Sequence, residues 1–452
     1  MWRLKGVVTR LKSDLGVSRP EHPSDRIERN IRVNIYHGIC SILALNMAAP
    51  FIGIFAVRLG ASEYQVGLLS SGPALVSLMS MIPGGRFMDK RVRKKKPIAV
   101  FIMLQRVFYL FIATIPFFVP DRRAHLLVLA VTAMNIPASI ANIGWQAFIS
   151  KVVPAERRAE AFAARNRLMN LAGTIVVLIT GRLIDISGFP VGYQIFFTGA
   201  FALSLLEIWV LGKVDEATVE TGEEGETADN GRAKAVPATG EMDHDGSDAS
   251  KGLWRRIRVP DSFLRHTLAS VFFYLALQAP WPLFTLYQVK VLEANNTWVS
   301  LLNLTNTSGS LLGYGFWAKQ CMKRGTLGTL VIASAGIFAI PVVYAYSRSL
   351  LTIVCFNLFT GAIFSGVNLA LFNRLLEITP ERSKASYIAY YTTAINVSGI
   401  FAPMVGVGLL NLYGFRWAFL TCALMRLSAS LFFLIVQRVE KKALLRTQGA
   451  AV

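Results

Sequence analysis

The sequence GGRFMDKRVRKKK, residues Gly84–Lys96, separates two long apolar runs that cover residues 64–83 and 97–119. Each run is close to the ~20 residues that a helix needs to cross a bilayer. The basic stretch between them is therefore predicted to be a short loop at a membrane surface. Short loops rich in Lys and Arg lie on the cytoplasmic side, which predicts the orientation of both flanking helices.

The composition of the whole chain indicates an integral membrane protein. Hydrophobic residues make up 53% of the 452 residues and charged residues only 16%, which is too apolar for a soluble protein of this length. The net charge of +20 does not indicate a nucleic-acid partner, because the cations occupy short loops rather than one soluble domain. The four cysteines lie in apolar runs without CxxC spacing, so we expect free thiols and neither a metal site nor a cofactor.

Twelve apolar segments of membrane-spanning length follow one another, and we number them span 1 to span 12. Their predicted bounds are 33–59, 64–88, 97–119, 125–152, 159–187, 190–212, 263–291, 297–321, 326–346, 349–376, 384–411 and 414–437. Most of the 47 Lys and Arg fall in the tails and in alternate loops, and the opposite loops hold only Arg58, Arg122, Arg123, Lys290, Arg348 and Arg416. This asymmetry predicts that both termini are cytoplasmic.

Three stretches outside the spans are predicted to be cytoplasmic. Residues 1–32 carry eight Lys and Arg among apolar residues at helical spacing, which predicts an amphipathic helix on the inner leaflet. Residues 213–262 begin as an acidic, Gly-rich stretch that is too polar to bury a core, and they are predicted to be a disordered linker ending in a basic amphipathic segment. Residues 439–452 are the C-tail. The linker divides the membrane region into two bundles of six spans, residues 33–212 and 263–438.

The two bundles repeat each other in sequence. A shift of 226 residues superimposes identical residues without a gap across spans 4 and 5 and spans 10 and 11, among them Asn142 on Asn368, Asn170 on Asn396, Gly173 on Gly399 and Gly188 on Gly414. A shift of 232 residues places Asn46 on Gln278 and Pro50 on Pro282, which matches span 1 to span 7. The predicted fold class is therefore an all-α integral membrane protein with twelve transmembrane helices in two pseudo-symmetric six-helix bundles.

The basic loop also resembles motif A of the major facilitator superfamily. Gly85 is followed after three residues by Asp89 and Lys90, and then by a basic cluster that begins at Arg93, although the family usually has glycine where this chain has Val92. The resemblance implies that spans 1, 4, 7 and 10 line a central cavity, and that spans 2, 5, 8 and 11 join the two halves. It also implies a gating role for Gly85, Asp89, Lys90 and Arg93, with Gly85 allowing close helix approach.

Two features common in that superfamily are missing. Span 4 lacks the arginine of the usual motif B, and span 5 lacks the Gly-Pro element typical of drug/proton antiporters, although span 11 carries a Gly/Pro run. An ordinary proton-driven drug exporter is therefore not the favoured interpretation.

Amides inside the spans are the candidate substrate ligands. An amide in a bilayer needs a hydrogen-bond partner, and the repeat places amides at equivalent depth in both halves. The predicted substrate site comprises Asn46, Asn142, Trp145, Gln146, Asn170, Gln278, Trp281, Asn368, Tyr390 and Asn396. The alternative is that these amides only hold helices together by hydrogen bonds and that the aromatic rings only pack or lie at the membrane interface.

Charged side chains inside the spans are few, because they are costly to bury. Arg106 and Arg426 lie near the middle of spans 3 and 12, which are predicted to be peripheral, so structural pairing, a lipid contact and a substrate role all stay open. Arg182 lies three residues before Asp185 and can pair with it. The acids inside the spans are the candidates for ion coupling: Asp185, Glu207 and Glu377. Cations outnumber acids in the spans, which favours an anionic or zwitterionic substrate.

No constellation typical of an enzyme is present. GxSxG, P-loop and HExxH motifs are missing, and the five histidines lie in tails, in the linker or near predicted helix ends. We therefore expect no enzyme but a monomeric transporter in the cell membrane. It is expected to move a small organic solute or amphiphile by alternating access, actively or by facilitated diffusion, in contact with membrane lipids. A flippase for a lipid-linked substrate and a non-transporting membrane sensor of the same fold are the alternatives.

Overall fold

The computed structural model describes residues 23–91, 93–153, 155–215, 260–380 and 384–449, and the regular elements in these ranges are all helices. The predicted amphipathic helix of residues 1–32 and the predicted linker of residues 213–262 lie largely outside the described residues. They remain predictions.

The first half of the described chain contains six consecutive spans. Span 1 consists of two helices, Pro23–Asn46 and Ile52–Arg58, joined by the 3-10 turn Ala49–Phe51. Spans 2 to 6 are the helices Glu63–Asp89, Lys95–Thr114, Pro120–Val152, Ala155–Ser187 and Val191–Gly212. Span 2 begins with a capping box, in which the Ser62 hydroxyl accepts from the Gln65 amide and the Gln65 side chain accepts from the Ser62 amide.

The second half has the same order of spans, and two of its helices each run over parts of two spans. Span 7 is Asp261–Gln278 followed by Trp281–Leu286 and one π-helical turn, Tyr287–Val291, and span 10 is Leu350–Ile378. Spans 8 and 9 lie within Asn296–Gly336 and Ala339–Tyr346, and spans 11 and 12 lie within Lys384–Gly449.

Two glycines turn these long helices into pairs of spans. Gly325 and Gly414 have φ of +75° and +70°, a conformation in which glycine carries no steric cost. Ten helical segments of the described residues are long and apolar enough to cross a membrane, and two of them, of 51 and 56 residues, contain Gly325 and Gly414. Each of these two is long enough for two crossings. The all-α membrane fold predicted from the sequence is confirmed, and the count of twelve spans is consistent with it.

Proline interrupts the first span of each half at the same place. A proline has no amide hydrogen for the carbonyl four residues earlier, so a helix ends there. The helices end at Asn46 and at Gln278, four residues before Pro50 and Pro282. The repeat seen in the sequence therefore duplicates a helix break.

The two halves pack through span 2 against span 11 and through span 5 against span 8. A Cβ at Gly67 of span 2 would lie 3.0 Å from Val407 of span 11, and one at Gly181 of span 5 would lie 2.6 Å from the carbonyl oxygen of Asn296. Glycines thus let the helices approach closely where the halves meet. These four spans are those that the superfamily resemblance assigns to this contact.

Polar contacts close the predicted external side between the halves. Lys290 Nζ lies 2.6 Å from Glu63 Oε1, and the Asp185 carboxylate accepts four hydrogen bonds from Asn296 and Thr297. The Ser300 hydroxyl donates to the carbonyl of Val177. The Tyr193 hydroxyl also donates to Asn296 Oδ1 at 2.8 Å. The structure therefore shows the two halves joined by polar contacts at the side that the loop charges predict to be external.

Candidate functional site

A cavity of about 350 Å³ lies among spans 1, 3, 4, 5 and 6, and we call it the N-half cavity. Its lining combines apolar side chains with charged and polar groups drawn from five helices. The lining residues are His37, Ser41, Leu45, Ile102, Gln105, Arg106, Ala138, Ala141, Asn142, Trp145, Arg165, Met169 and Glu207.

An ion pair between spans 3 and 6 forms one wall of the cavity. Arg106 Nη2 lies 3.1 Å from Glu207 Oε2, and both residues are buried, at 3% and 1% exposure. Arg106 also donates to the hydroxyl of Tyr109 at 3.1 Å and to that of Ser41 at 3.4 Å. These partners compensate much of the cost of placing the two charges inside the protein.

The imidazole of His37 lies next to this pair. His37 Nε2 is 3.8 Å from Glu207 Oε1, and its ring stacks on Trp145 with 6.5 Å between ring centres. Both ring nitrogens are buried without a hydrogen-bond partner among the described residues. The described part of the protein therefore leaves the hydrogen-bonding capacity of this imidazole unused in a residue that lines the cavity.

Arg165 of span 5 completes the charged lining. Its guanidinium carbon lies 4.3 Å from the centre of the Trp145 ring, a cation–π contact, and its Nε donates to the carbonyl of Asn34 at 3.4 Å. Gly38 of span 1 makes room for it, since a Cβ there would lie 2.6 Å from Arg165 Nε. The cavity thus holds two guanidinium groups, one carboxylate and one imidazole, a set that can bind a charged solute and can exchange protons.

The structure distributes the predicted substrate residues over several surfaces. Asn142 and Trp145 line the N-half cavity, where Asn142 is exposed and Trp145 half-buried. The other predicted residues lie outside this lining: Asn396 is half-buried, and the exposed ones are Gln146, Asn170, Trp281, Asn368 and Tyr390. Asn46 and Gln278 occupy equivalent positions against glycines: Asn46 Nδ2 is 2.7 Å from a Cβ placed on Gly173, and Gln278 Oε1 is 3.0 Å from one on Gly399. The two repeat shifts found in the sequence therefore correspond to one packing arrangement in both halves.

The glycine that permits close packing in motif A is not the predicted one. A Cβ on Gly84 would lie 2.6 Å from Ile140 of span 4, whereas one on Gly85 meets nothing within 4 Å. In this state the rotation of span 2 directs Gly84 rather than Gly85 toward span 4, and the gating role of Gly85 stays a prediction. Asp89, Lys90 and Arg93 are exposed.

Of the basic cluster, two lysines anchor the loop instead of facing solvent freely. Lys94 is buried and donates to the carbonyl of Met88, and Lys95 donates to the carbonyls of Gly212 and Val214 at the end of span 6. The loop is thereby attached to the end of the first bundle.

The three acids proposed for ion coupling have different surroundings. Asp185 belongs to the external contact between the halves and, contrary to the expectation from sequence spacing, forms no ion pair with Arg182 among the described residues. Glu377 accepts hydrogen bonds from Thr326 and Arg374. Glu207 is the one of the three that lines the N-half cavity.

Sequence reasoning named Arg106 and Glu207 singly and gave no role to His37. The His37 position seemed to be near a helix end, but span 1 begins ten residues earlier than expected, at Pro23, which places His37 well inside the helix. The cluster could have been found by comparing how far along their spans Arg106, Arg165 and Glu207 lie, since charged residues at equal membrane depth in neighbouring spans can meet.

Comparisons with known proteins agree with this architecture. The chain matches the family model described as Major Facilitator Superfamily over residues 38–375 and 267–451. Similar solved structures include a mutant of the nucleoside transporter NupG, with a TM-score of 0.66 and 11% identity, which covers 89% of this chain and 99% of that chain. A bacterial homolog of the human lysosomal transporter Spinster, inward-facing and unoccupied, has a TM-score of 0.65 and 12% identity, with coverage of 93% and 98%.

A D-xylose–proton symporter is similar at a TM-score of 0.63 and 14% identity, with coverage of 89% of this chain and 96% of that chain. At these identities the likeness concerns the fold alone. No curated protein matches the sequence closely enough to add to this comparison. The family match extends over nearly all of the membrane region, and the chain therefore belongs to the Major Facilitator Superfamily.

Proposed function

We propose that this protein is a secondary transporter that carries a small organic solute across the cell membrane by alternating access. The observation that carries the proposal is the position of the polar contacts between the halves. Asp185 bonds to Asn296 and Lys290 pairs with Glu63 at the ends of the spans that are predicted to be external. A two-bundle protein closed on one side is in one of the two states that alternating access requires. The N-half cavity supplies a polar lining within the first bundle.

The proposed substrate contacts are the N-half cavity together with the amides Asn46, Gln278, Asn170 and Asn396 of spans 1, 7, 5 and 11. Amides suit a solute site because they both donate and accept hydrogen bonds without the cost of a buried charge. The similar structures are described as a nucleoside transporter and a xylose–proton symporter, which supports a small solute as cargo.

We assign ion coupling to Glu207. It is the carboxylate that faces the N-half cavity, where Arg106, His37 and Arg165 surround it from spans 3, 1 and 5. Asp185 and Glu377 are held in contacts at the ends of spans, so a proton on either would not reach this cavity.

The charge asymmetry of the loops supports cytoplasmic termini. A location in the cell membrane and a monomeric unit are part of the same proposal. Two exposed residues at opposite ends of the bundle test the orientation: Lys96→Cys and Asp121→Cys in a cysteine-free background. We expect an impermeant thiol reagent to label the Asp121→Cys protein in intact cells and to leave the Lys96→Cys protein unlabelled. The reverse pattern would invert the orientation.

Transport itself is tested in two steps. A library of metabolites and lipids is first screened for thermal stabilisation of the purified chain, and the stabilising compound is then followed for uptake and counterflow in proteoliposomes. We expect saturable uptake, and a pH gradient is expected to accelerate it in the wild type but not in Glu207→Gln. Binding of a solute without any uptake or exchange would replace the transporter by a sensor, and stabilisation by lipids alone would favour the flippase.

The motif A carboxylate is proposed to hold span 2 against the other half when the cytoplasmic side closes. Asp89 is exposed in the present state, in which the polar contacts between the halves lie at the predicted external side. We expect Asp89→Asn to slow transport in proteoliposomes at unchanged expression, with Asp121→Asn as the control at the opposite side. An unchanged transport rate would show that Asp89 has no gating role and that the loop serves only to orient the helices in the membrane.

A further inference from the structure

We infer that the N-half cavity binds a solute that carries one oxyanion group, a carboxylate or phosphate, and that Arg165 is the ligand of that group. The inference rests on the proposed function in so far as it names the chemical class of the solute. It concerns binding, which can be measured separately from transport.

Arg165 is placed as an anion ligand by its contacts on three sides. One face of its planar guanidinium lies over Trp145, and Gly38 leaves space on the side of span 1. Its one hydrogen bond among the described residues runs from Nε to the carbonyl of Asn34. The terminal nitrogens are therefore left for another acceptor, and this planar fork matches the two oxygens of a carboxylate or phosphate.

The charges in the cavity do not balance. Arg106 is paired with Glu207, whereas no carboxylate of the described residues lies within ion-pair distance of Arg165. Arg165 is only 8% exposed and lines the cavity. A buried cation without a counter-charge is costly inside a membrane protein, and a bound anion would remove that cost.

The remaining lining suits an organic body attached to the charged group. Leu45 and Met169 provide apolar surface, and the two unpaired ring nitrogens of His37 offer a further polar contact. The volume of about 350 Å³ is at the lower end of the range for sites that hold small organic molecules.

The internal repeat supplies a control within the same molecule. The shift of 226 residues that superimposes Asn170 on Asn396 and Gly188 on Gly414 also places Arg165 on Tyr391 and Glu207 on Phe433. In the second half a histidine of span 7, His266, contacts both rings, with 5.9 Å to Tyr391 and 6.0 Å to Phe433 between centres. Rings thus occupy the positions of Arg165 and Glu207 in the second half, so the packing at these two positions does not require the two charges. Their presence in the first half supports a binding role.

The test compares an anion with its neutral analogue. Purified full-length protein in nanodiscs is titrated with benzoate, phenyl phosphate, inorganic phosphate and benzamide, and thermal stabilisation and the dissociation constant are measured. We expect benzoate or phenyl phosphate to stabilise the wild type and benzamide to have no comparable effect. Nanodiscs with and without phosphatidylglycerol distinguish a free anion from a lipid headgroup, because a headgroup site would be filled by the lipid and would lose its response to the free anion.

Three variants of span 5 assign the effect to one side chain. Arg165→Gln is expected to weaken anion binding roughly 10- to 100-fold, as for the loss of a charge-assisted hydrogen-bonded pair. Arg167→Gln is the matched control, because Arg167 is exposed two residues further on and does not line the cavity. If Arg165→Gln does not fold, Arg165→Tyr takes its place, since tyrosine occupies the equivalent position of the second half.

Equal anion binding in wild type and Arg165→Gln would overturn the inference, and so would a wild type stabilised by none of the anions. Arg165-dependent anion binding without uptake in proteoliposomes would leave the inference intact and contradict the transporter proposal. Uptake of a neutral solute by a protein that binds no anion would support the transporter proposal and overturn the inference of anion binding.

Discussion

Arg106 and Arg426 are both fully buried arginines of outer spans, yet they satisfy their charge in different ways. Arg106 pairs with the carboxylate of Glu207, whereas Arg426 donates to the backbone carbonyls of Ala276, Leu277 and Ile337 at 3.3, 2.7 and 3.2 Å. The first arrangement is an ion pair beside a cavity. The second is a structural cross-link between spans 7, 9 and 12.

Prolines explain why carbonyls are available to Arg426. In a continuous helix the carbonyls of Ala276 and Ile337 would accept from the residues four positions later, which here are Pro280 and Pro341 and have no amide hydrogen. The guanidinium donates to both carbonyls, and that of Ile337 also accepts from the amide of Ile340 at 3.2 Å. The three alternatives that the sequence left open for this residue are thereby reduced to a structural role.

Arg426→Met is therefore expected to lower stability without changing ligand binding by the folded protein. Each carbonyl left buried without a donor costs about 1–3 kcal/mol. Arg416→Met is the control in the same span, since Arg416 is exposed and lies over Tyr346. Thermal unfolding in detergent measures the difference, and an altered dissociation constant in the folded fraction would contradict the assignment.

The Arg106–Glu207 pair is expected to behave as a coupled unit. Arg106→Met leaves the Glu207 carboxylate buried without its main partner, which costs roughly 3–5 kcal/mol, whereas removing both charges restores an uncharged wall. The double variant Arg106→Met with Glu207→Phe should thus unfold closer to the wild-type temperature than Arg106→Met alone. A double variant no more stable than the single one would show that the pair is not the reason for the loss.

At the scale of elements, the external contact is a helix start in one half that is capped from the other. The first amides of span 8 have no partner within their own helix. Asn296 and Thr297 donate theirs to Asp185 of span 5, and the amide of Trp298 is capped by Asn295. A carboxylate at a helix N-terminus is also favoured by the helix dipole. The contact joins the bundles through groups that water can satisfy when they separate.

Removing this cap should favour opening of the external side. Asp185→Ala loses charge-assisted hydrogen bonds worth about 1.5–3 kcal/mol each, while the freed amides are hydrated only when the bundles part. Ser300→Cys in a cysteine-free background reports the change, since Ser300 is 1% exposed at this contact. We expect faster labelling from outside with Asp185→Ala and no change with Asp121→Ala, and equal labelling rates would contradict a closing role for Asp185.

At the scale of the whole molecule, the two halves share a backbone plan but not a charge pattern. Asn46 and Gln278 occupy equivalent places against Gly173 and Gly399, so the plan is repeated down to single contacts. The charged cavity belongs to the first half, where Asn142 lines it and its repeat partner Asn368 does not.

This asymmetry predicts unequal effects of two equivalent substitutions. Asn142→Ala should weaken binding by about 0.5–1.5 kcal/mol, the scale for the net contribution of one hydrogen bond, and Asn368→Ala should weaken it less. Isothermal titration of both variants with the ligand found by screening gives the comparison. Equal losses would place the solute on the axis between the halves rather than in the N-half cavity.

The sequence by itself determined the membrane class, the helical spans, the repeat and the family resemblance. These properties are local: a bilayer requires each span to be long, apolar and internally hydrogen-bonded, so each can be recognised without knowledge of its neighbours. The breaks before Pro50 and Pro282 are different, because Pro73, Pro83 and Pro137 lie inside continuous helices of the same protein.

The tertiary structure alone decided which side chains meet. Arg106 and Glu207 are 101 residues apart, and Asp185 contacts Asn296 of the other half rather than Arg182 on its own helix. The reason is geometric: one residue turns a helix by about 100°, so the direction of a side chain depends on the rotation and tilt that packing gives each helix. The position of Gly84, and not Gly85, against span 4 shows how a single residue of rotation separates a contact from open space.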